Sequence, residues 1–268
     1  MGPRTEHGLA QVNGTTLYYE ISGSGDPLVL VHGFSLDCRM WDPQFQLFTE
    51  TRRVLRYDLR GFGRSALPRA ERFEHGQDLR ALMEYIGIAK ADVLGLSLGG
   101  MVAIDHALTY PEATRSLVLA DALYAGFQWS PEWEERTGLL WELGRELGSD
   151  SAKESGLSHP IFDPIWEIPE AGAFVRKLVD AYSGWHFVNN NPARSPQPPA
   201  AQRLADLRMP VLAVVGERDL PDFHVMASTL VGAAGYARMI VLPRVGHMVN
   251  LEAPLAFNQA VLEFLDSR

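Results

Sequence analysis

The sequence predicts an α/β protein: a mostly parallel central sheet, helices on both of its faces, and an inserted helical segment. Short apolar runs alternate with longer helix-like segments, which is the rhythm of parallel strands joined by crossover helices. That rhythm stops near residue 123 and resumes after 198. Several apolar runs end in glycine-rich or polar clusters, where an open α/β sheet gathers its chemistry.

In chain order, residues 15–21 alternate and end at Gly23-Ser24-Gly25, reading as an edge hairpin. Residues 28–31 form a buried strand running into His32-Gly33, and 53–57 a second one with Asp58 at its end. Residues 73–88 read as a helix, 91–96 as a strand, and 97–108 as a helix stopped before Pro111. Residues 116–120 are the next strand. No strand pattern follows until residue 211. This stretch holds Trp129, Trp133, Trp141, Trp166 and Trp185, with helices expected over 131–147 and 169–188. A linker with Pro192, Pro196, Pro198 and Pro199 leads to strands at 211–215 and 238–242 and a final helix over 252–265. The expected organisation is a core of residues 1–122 and 199–268, with 123–198 inserted as a helical cap.

Composition narrows the function. A chain of 268 residues, 46% hydrophobic and 21% charged, can bury a sizeable core without a disulfide or metal. Its net charge of −9 provides no basic face for phosphates, so neither nucleic acid nor an anionic membrane surface is an expected partner. Cys38 is the single cysteine, which excludes an internal disulfide and a Cys-based zinc site. No secretory pattern is read in Met1–His7 and no run approaches a membrane span, so a cytoplasmic location is expected. Asn13-Gly14-Thr15 matches a glycosylation sequon and is read as coincidence. Association into a homo-oligomer is compatible with all of this.

The strongest chemical signal is Gly95-Leu96-Ser97-Leu98-Gly99-Gly100, between a buried strand and a helix. A strand-to-helix turn this sharp needs small residues two positions either side of its apex, and Gly95 and Gly99 supply them. Ser97 then projects its hydroxyl beside free helix N–H groups. A serine needs a base. Of eight histidines, His247, in Val245-Gly246-His247-Met248, lies in a loop after a strand and faces the same crevice. His106 falls inside a helix and reads as packed, and His7, His75, His159, His186 and His224 have no such setting. The base needs a carboxylate. Asp219 follows the strand at 211–215; Asp222 and Asp121 are the alternatives. The N–H groups of Phe34 and Leu98 are the candidate oxyanion donors, and His32 reads as a brace for its turn.

Together His32-Gly33-Phe34, the run from Asp58 to Ser65, Gly95–Gly100, Gly216-Glu217-Arg218-Asp219 and Gly246-His247 resemble the α/β-hydrolase superfamily across the whole chain. Met40-Trp41-Asp42-Pro43-Gln44 and Arg56-Tyr57-Asp58 are similar to its 3-oxoadipate enol-lactonase-like and carboxylesterase branch. The resemblance implies an α/β-hydrolase fold, an inserted cap over the site, and an enzyme without cofactor or metal. Its triad would be Ser97, Asp219 and His247, in hydrolase order. Dehalogenases and epoxide hydrolases of this superfamily carry Asp at the elbow, so Ser97 argues against both. Trp129, Trp133, Trp185 and Met248 are the candidate substrate-binding residues.

The expected function is hydrolysis of small carboxylic esters or lactones through an acyl-enzyme. Alternatives with the same residues are a perhydrolase or haloperoxidase-like reaction, carbon–carbon bond hydrolysis, or a small-molecule receptor that keeps the pocket. The cap carries 11 Asp or Glu against 6 Lys or Arg, which disfavours strongly anionic substrates unless Arg136 or Arg176 points inward.

Overall fold

The computed structural model describes residues 4–267. The leader-peptide reading falls partly on Met1–Pro3, outside those residues. The strands are β1 (Glu6–Val12), β2 (Thr15–Ser22), β3 (Asp26–Val31), β4 (Arg52–Tyr57), β5 (Ala91–Leu96), β6 (Thr114–Ala120), β7 (Val211–Gly216) and β8 (Ala237–Leu242). They form one sheet in the order β1-β2-β4-β3-β5-β6-β7-β8. β1 and β2 pair antiparallel with their neighbours, and every pairing from β4 to β8 is parallel.

The central strands read as continuous apolar runs because both faces are covered. On one face Val29, Val31, Val93, Leu117 and Leu119 pack with residues of α2 (His75–Ile86) and α3 (Leu98–Thr109). On the other, Leu28, Leu30, Leu94, Val118 and Val214 pack with Phe45 and Phe48 from a short helix at Asp42–Phe48 and with Phe257, Val261 and Phe264 near the C-terminus. Those three lie on the last helix of the chain. With the Asp42–Phe48 helix as α1, the remaining helices are α4 (Pro131–Leu147), α5 (Ser149–Leu157), α6 (Asp163–Trp166), α7 (Pro169–Ala181), α8 (Trp185–Val188), α9 (Pro221–Ala233), α10 (Val249–Glu252) and α11 (Pro254–Asp266). Helices α4 to α8 all lie between β6 and β7, and no described residue there forms a strand.

Three expectations need correction. The hairpin lies one strand earlier: β1 and β2 are joined at Asn13-Gly14, both at positive φ (45 and 69). Asn-Gly is the preferred two-residue hairpin turn, so the apparent sequon is a turn signal. The helix expected over 169–188 breaks at Gly184, which sits at φ 68, leaving α7 and α8. The final helix, α11, begins at Pro254, two residues after the expected start, and a separate short helix, α10, precedes it.

No helix among the described residues is long and apolar enough to cross a membrane.

Candidate active site

Ser97 occupies the turn between β5 and α3 at φ 54, ψ −116, a region that side-chain-bearing residues rarely adopt. The chain around it admits only glycine. A Cβ on Gly95 would lie 2.1 Å from Gly99 O, and one on Gly99 would lie 2.1 Å from Val31 O. The strain is held by backbone bonds: Ser97 N–H donates to Ala120 O at 3.0 Å, and Ser97 O accepts from Gly100 N–H at 2.9 Å. The residue is 9% exposed, and its side chain faces a cavity of about 230 Å³.

His247 lies in the loop between β8 and α10, 4% exposed, and lines the same cavity. Its Nδ1 stands 2.8 Å from Asp219 Oδ2, in the loop after β7. Asp219 Oδ1 accepts from Leu220 N–H at 2.7 Å, which fixes the carboxylate plane. The His247 loop is clamped by Glu252, whose two oxygens accept Gly246 N–H at 2.6 Å and Met248 N–H at 3.0 Å. The Phe223 ring packs on the imidazole at 4.5 Å. Thus Ser97, Asp219 and His247 all sit past the carboxyl ends of parallel strands, around one crevice.

Phe34 and Leu98 line the cavity beside Ser97. Leu98 is the first residue of α3, so its N–H has no intrahelical carbonyl to meet. Phe34 N–H meets no backbone acceptor among the described residues. His32 lies beneath them, with Nδ1 2.8 Å from Gly33 O and Nε2 accepting Leu59 N–H at 2.9 Å. The Asp58–Ser65 loop is tied in turn: Asp58 accepts Cys38 N–H and Arg64 N–H, each at 2.8 Å.

The two alternative acids have other places. Asp222 accepts Ser130 N–H at 3.0 Å and the Ser130 hydroxyl at 2.7 Å, tying α9 to the start of α4. Asp121 is fully buried beside Asp219, with Oδ1 accepting Gly216 N–H at 2.9 Å. Burial, and then the Asp219 charge beside it, push the Asp121 carboxyl well above the usual carboxylate range.

The candidate substrate-binding residues separate. Trp133 and Met248 line the cavity. Trp129 does not reach it: it stacks behind Trp133, ring centroids 4.2 Å apart, with its edge on Phe223. Trp185 packs edge-on against His186 at 5.1 Å, away from the Ser97 cavity. Neither Arg136 nor Arg176 points inward, for they pair with Glu132 and Glu154. The cation at this cavity is Lys153, whose Nζ donates to Tyr182 O at 3.3 Å.

Sequence reasoning missed Trp141 and His159. Trp141 stands two helical turns beyond Trp133, with Thr137 between them on the same face, so helical spacing carried the signal. His159 had none. Its Nδ1 accepts Ile161 N–H at 3.2 Å, so the proton is on Nε2, which no protein group accepts. That places a hydrogen-bond donor on the cavity wall.

Among the described residues, two groups bring three ligand-type atoms within 4.8 Å of one another: Asp37, Cys38 and Asp58, and Asp121, Asp219 and His247. Asp58, Asp219 and His247 are engaged in the contacts above, and Asp37 pairs with Arg39 at 2.6 Å. Burial raises the Cys38 thiol well above its ordinary range, against a thiolate ligand.

With this geometry in hand, known proteins can be compared. A pimeloyl-[acyl-carrier protein] methyl ester esterase of Yersinia enterocolitica is 27% identical over 270 residues, 92% of this chain and 96% of that one. An enol-lactonase structure from Burkholderia xenovorans LB400 is 26% identical, covers 97% of this chain and 100% of its own, and superposes with a TM-score of 0.80. A thermophilic esterase from Thermogutta terrifontis, solved with malate bound, is 27% identical over 98% of both chains, with a TM-score of 0.82. The resemblance to the enol-lactonase and esterase branch is therefore borne out. The α/β hydrolase family profile matches residues 28–260. A match of that extent, on a sheet of this strand order, makes the chain an enzyme belonging to the α/β hydrolase family.

Proposed function

We propose that the protein is a serine hydrolase of small carboxylic esters or lactones, with Ser97 as nucleophile, His247 as base and Asp219 as its acid, and residues 123–198 as the cap over them. The observation that carries this reading is the 2.8 Å contact between His247 Nδ1 and Asp219 Oδ2, in a loop lining the cavity that Ser97 faces.

Ser97 Oγ attacks the carbonyl carbon while its proton passes to His247 Nε2. The carbonyl oxygen becomes an oxyanion that accepts from Phe34 and Leu98 N–H. Asp219 holds the tautomer and offsets the imidazolium charge. His247 returns the proton to the departing alkoxide, leaving an ester on Ser97; in a lactone the new alcohol stays on the same molecule. Water then attacks that ester, giving its proton to His247, and the proton returns to Ser97 as the acid leaves. His159 Nε2–H can hold a substrate oxygen away from the reacting carbon.

The test is kinetic. Ser97→Ala and His247→Ala should each lower kcat by about 10⁴–10⁶, and the double variant by little more, since such groups act as one unit. Activity within tenfold of wild type in Ser97→Ala overturns the mechanism. Turnover that requires added peroxide points instead to perhydrolysis, and tight binding without turnover to a receptor.

A further inference from the structure

The run Met40-Trp41-Asp42-Pro43-Gln44 leads into α1 and contributes no wall to the Ser97 cavity. Two of its residues nevertheless reach the loops that do. Gln44 is fully buried, and its Nε2 donates to Asn250 O at 2.9 Å and to Asn258 Oδ1 at 3.0 Å. Asn250, fully buried on α10, donates from Nδ2 to Gln44 Oε1 at 3.1 Å and to Met40 O at 3.0 Å. Met40 is joined in turn to the other side of the site. Its Sδ accepts Gly33 N–H at 3.3 Å, one residue before Phe34.

We propose that Gln44 and Asn250 are positioning residues: they fix the His247 loop against the turn at Gly33-Phe34, so that the base and one oxyanion donor address the same carbonyl. The inference rests on the ester or lactone hydrolase reading above. The two turns it joins follow β8 and β3, and β5, β6 and β7 stand between those strands in the sheet. A change in sheet twist alone would alter their separation. The amides tie the two ends directly, across 206 residues of sequence from Gln44 to Asn250. Helix α10 is the pivot. Its Glu252 holds Gly246 N–H and Met248 N–H on the side of His247, and its Asn250 holds Gln44 and Met40 on the other.

Packing alone does not call for these amides. Their chain neighbours Phe45, Val249, Leu251 and Phe257 belong to one apolar cluster. Apolar groups of similar shape would fill the same space at little cost in stability. The amides instead leave Asn250 Oδ1 without a donor among the described residues, a cost that an apolar cluster avoids. What they add is direction. A connected set of hydrogen bonds holds one register between two loops, where apolar contacts permit sliding. Register matters at this place, because a displacement of about 1 Å at a reacting group can cost about 10²-fold in rate.

The experiment measures kcat and KM for methyl butyrate in Met40→Leu, Gln44→Met and the Gln44→Met/Asn250→Leu pair. Active sites are counted by titration with a fluorophosphonate, and stability is read by urea unfolding. Each change puts an apolar side chain of similar size in place of a polar link. The pair removes both amide partners together, which gives a folded protein even where a single change leaves an orphan. Per titrated site, kcat should fall about tenfold to a hundredfold, with KM within about threefold. The Ki of a short trifluoromethyl ketone, whose hemiketal oxyanion takes the place of the reacting one, should rise in step. Adding Met40→Leu to the pair should cost little more, because both break one bridge. Phe257→Leu loosens the same cluster, where its ring stacks on Trp41 at 6.3 Å, without touching the bridge. It should lower stability and leave kcat within about threefold. A kcat unchanged in the amide variants, or lowered as much in Phe257→Leu, overturns the proposal and leaves the hydrolase reading standing. Wild-type protein that neither turns over the ester nor takes up the fluorophosphonate at Ser97 overturns both.

Discussion

Asp121 and Asp219 are two buried carboxyls close together beside the His247 imidazole. Burial, and then the charge of Asp219, raise the Asp121 carboxyl well above its ordinary range. An amide at that position keeps the contour and an N–H donor, so Asp121→Asn should retain kcat within about tenfold. Asp219→Asn leaves His247 without an anion and should cost about 10⁴, as loss of the acid does in such triads. A larger loss at Asp121 than at Asp219 would move the acid's role to Asp121. These residues also differ in how far a sequence reaches them. Ser97 was legible because its elbow is a local necessity, written as Gly95 and Gly99 around one strained turn. Asp219 and His247 were legible as residues at strand ends. The environment of Asp121 was not, because it depends on a neighbour brought across from another strand, and no local pattern encodes that distance. The same holds for His159, whose tautomer is set by Ile161 N–H.

At the scale of elements, α4 offers a direct test. Ser130 caps it, accepting Trp133 N–H at 3.3 Å while donating its own hydroxyl to Asp222. Asp222→Ala removes a charged acceptor from two donors and should cost about 1.5–3 kcal/mol in stability, read by urea unfolding. It should also raise KM, since Trp133 in the first turn lines the cavity; an unchanged KM with reduced stability would separate the anchor from the pocket. The contact between α2 and α3 gives a pH test. His106 is fully buried there, 3.2 Å from Gly76 O, and burial lowers its pKa to about 4. The unfolded chain takes up this proton near pH 6.5, before the fold does, so stability is lost as pH falls from about 6.5 to about 4. For this one residue the slope is about 1.4 kcal/mol per pH unit. His106→Gln should flatten the pH dependence by one proton, and an unchanged slope would count against it. Helices α2, α3 and α4 were legible from periodicity. The split between α7 and α8 was not, because a single Gly184 inside an apolar pattern is a weak break until its φ is known. The first strand was overlooked for another reason: β1 is an exposed edge strand with little apolar signal.

For the whole molecule, the cavity at Ser97 is small. At about 230 Å³ it falls below the range typical of drug-sized ligands. In a series of p-nitrophenyl esters, each methylene that fits should add about 0.8 kcal/mol of binding. Turnover should therefore peak at short acyl chains and fall beyond about eight carbons, where the chain meets the cap. A steady rise to about sixteen carbons would contradict so small a site. The α/β alternation was legible because each buried parallel strand is a continuous apolar run. The path of residues 123–198 was not, since nothing in their sequence records which faces turn inward.

The direct pairing of β6 with β7, Leu117 against Val211 through Ala120 against Val214, has an engineering consequence. The sheet closes without the cap helices, whose chain leaves and re-enters at neighbouring strands. A graft there alters a loop and leaves the ladder intact, and doubling a flexible loop costs only about 0.6 kcal/mol in closure entropy. Cap and core can thus be exchanged as modules, so that a chimaera carrying another hydrolase's cap should keep the elbow and its chemistry while taking on a new substrate range.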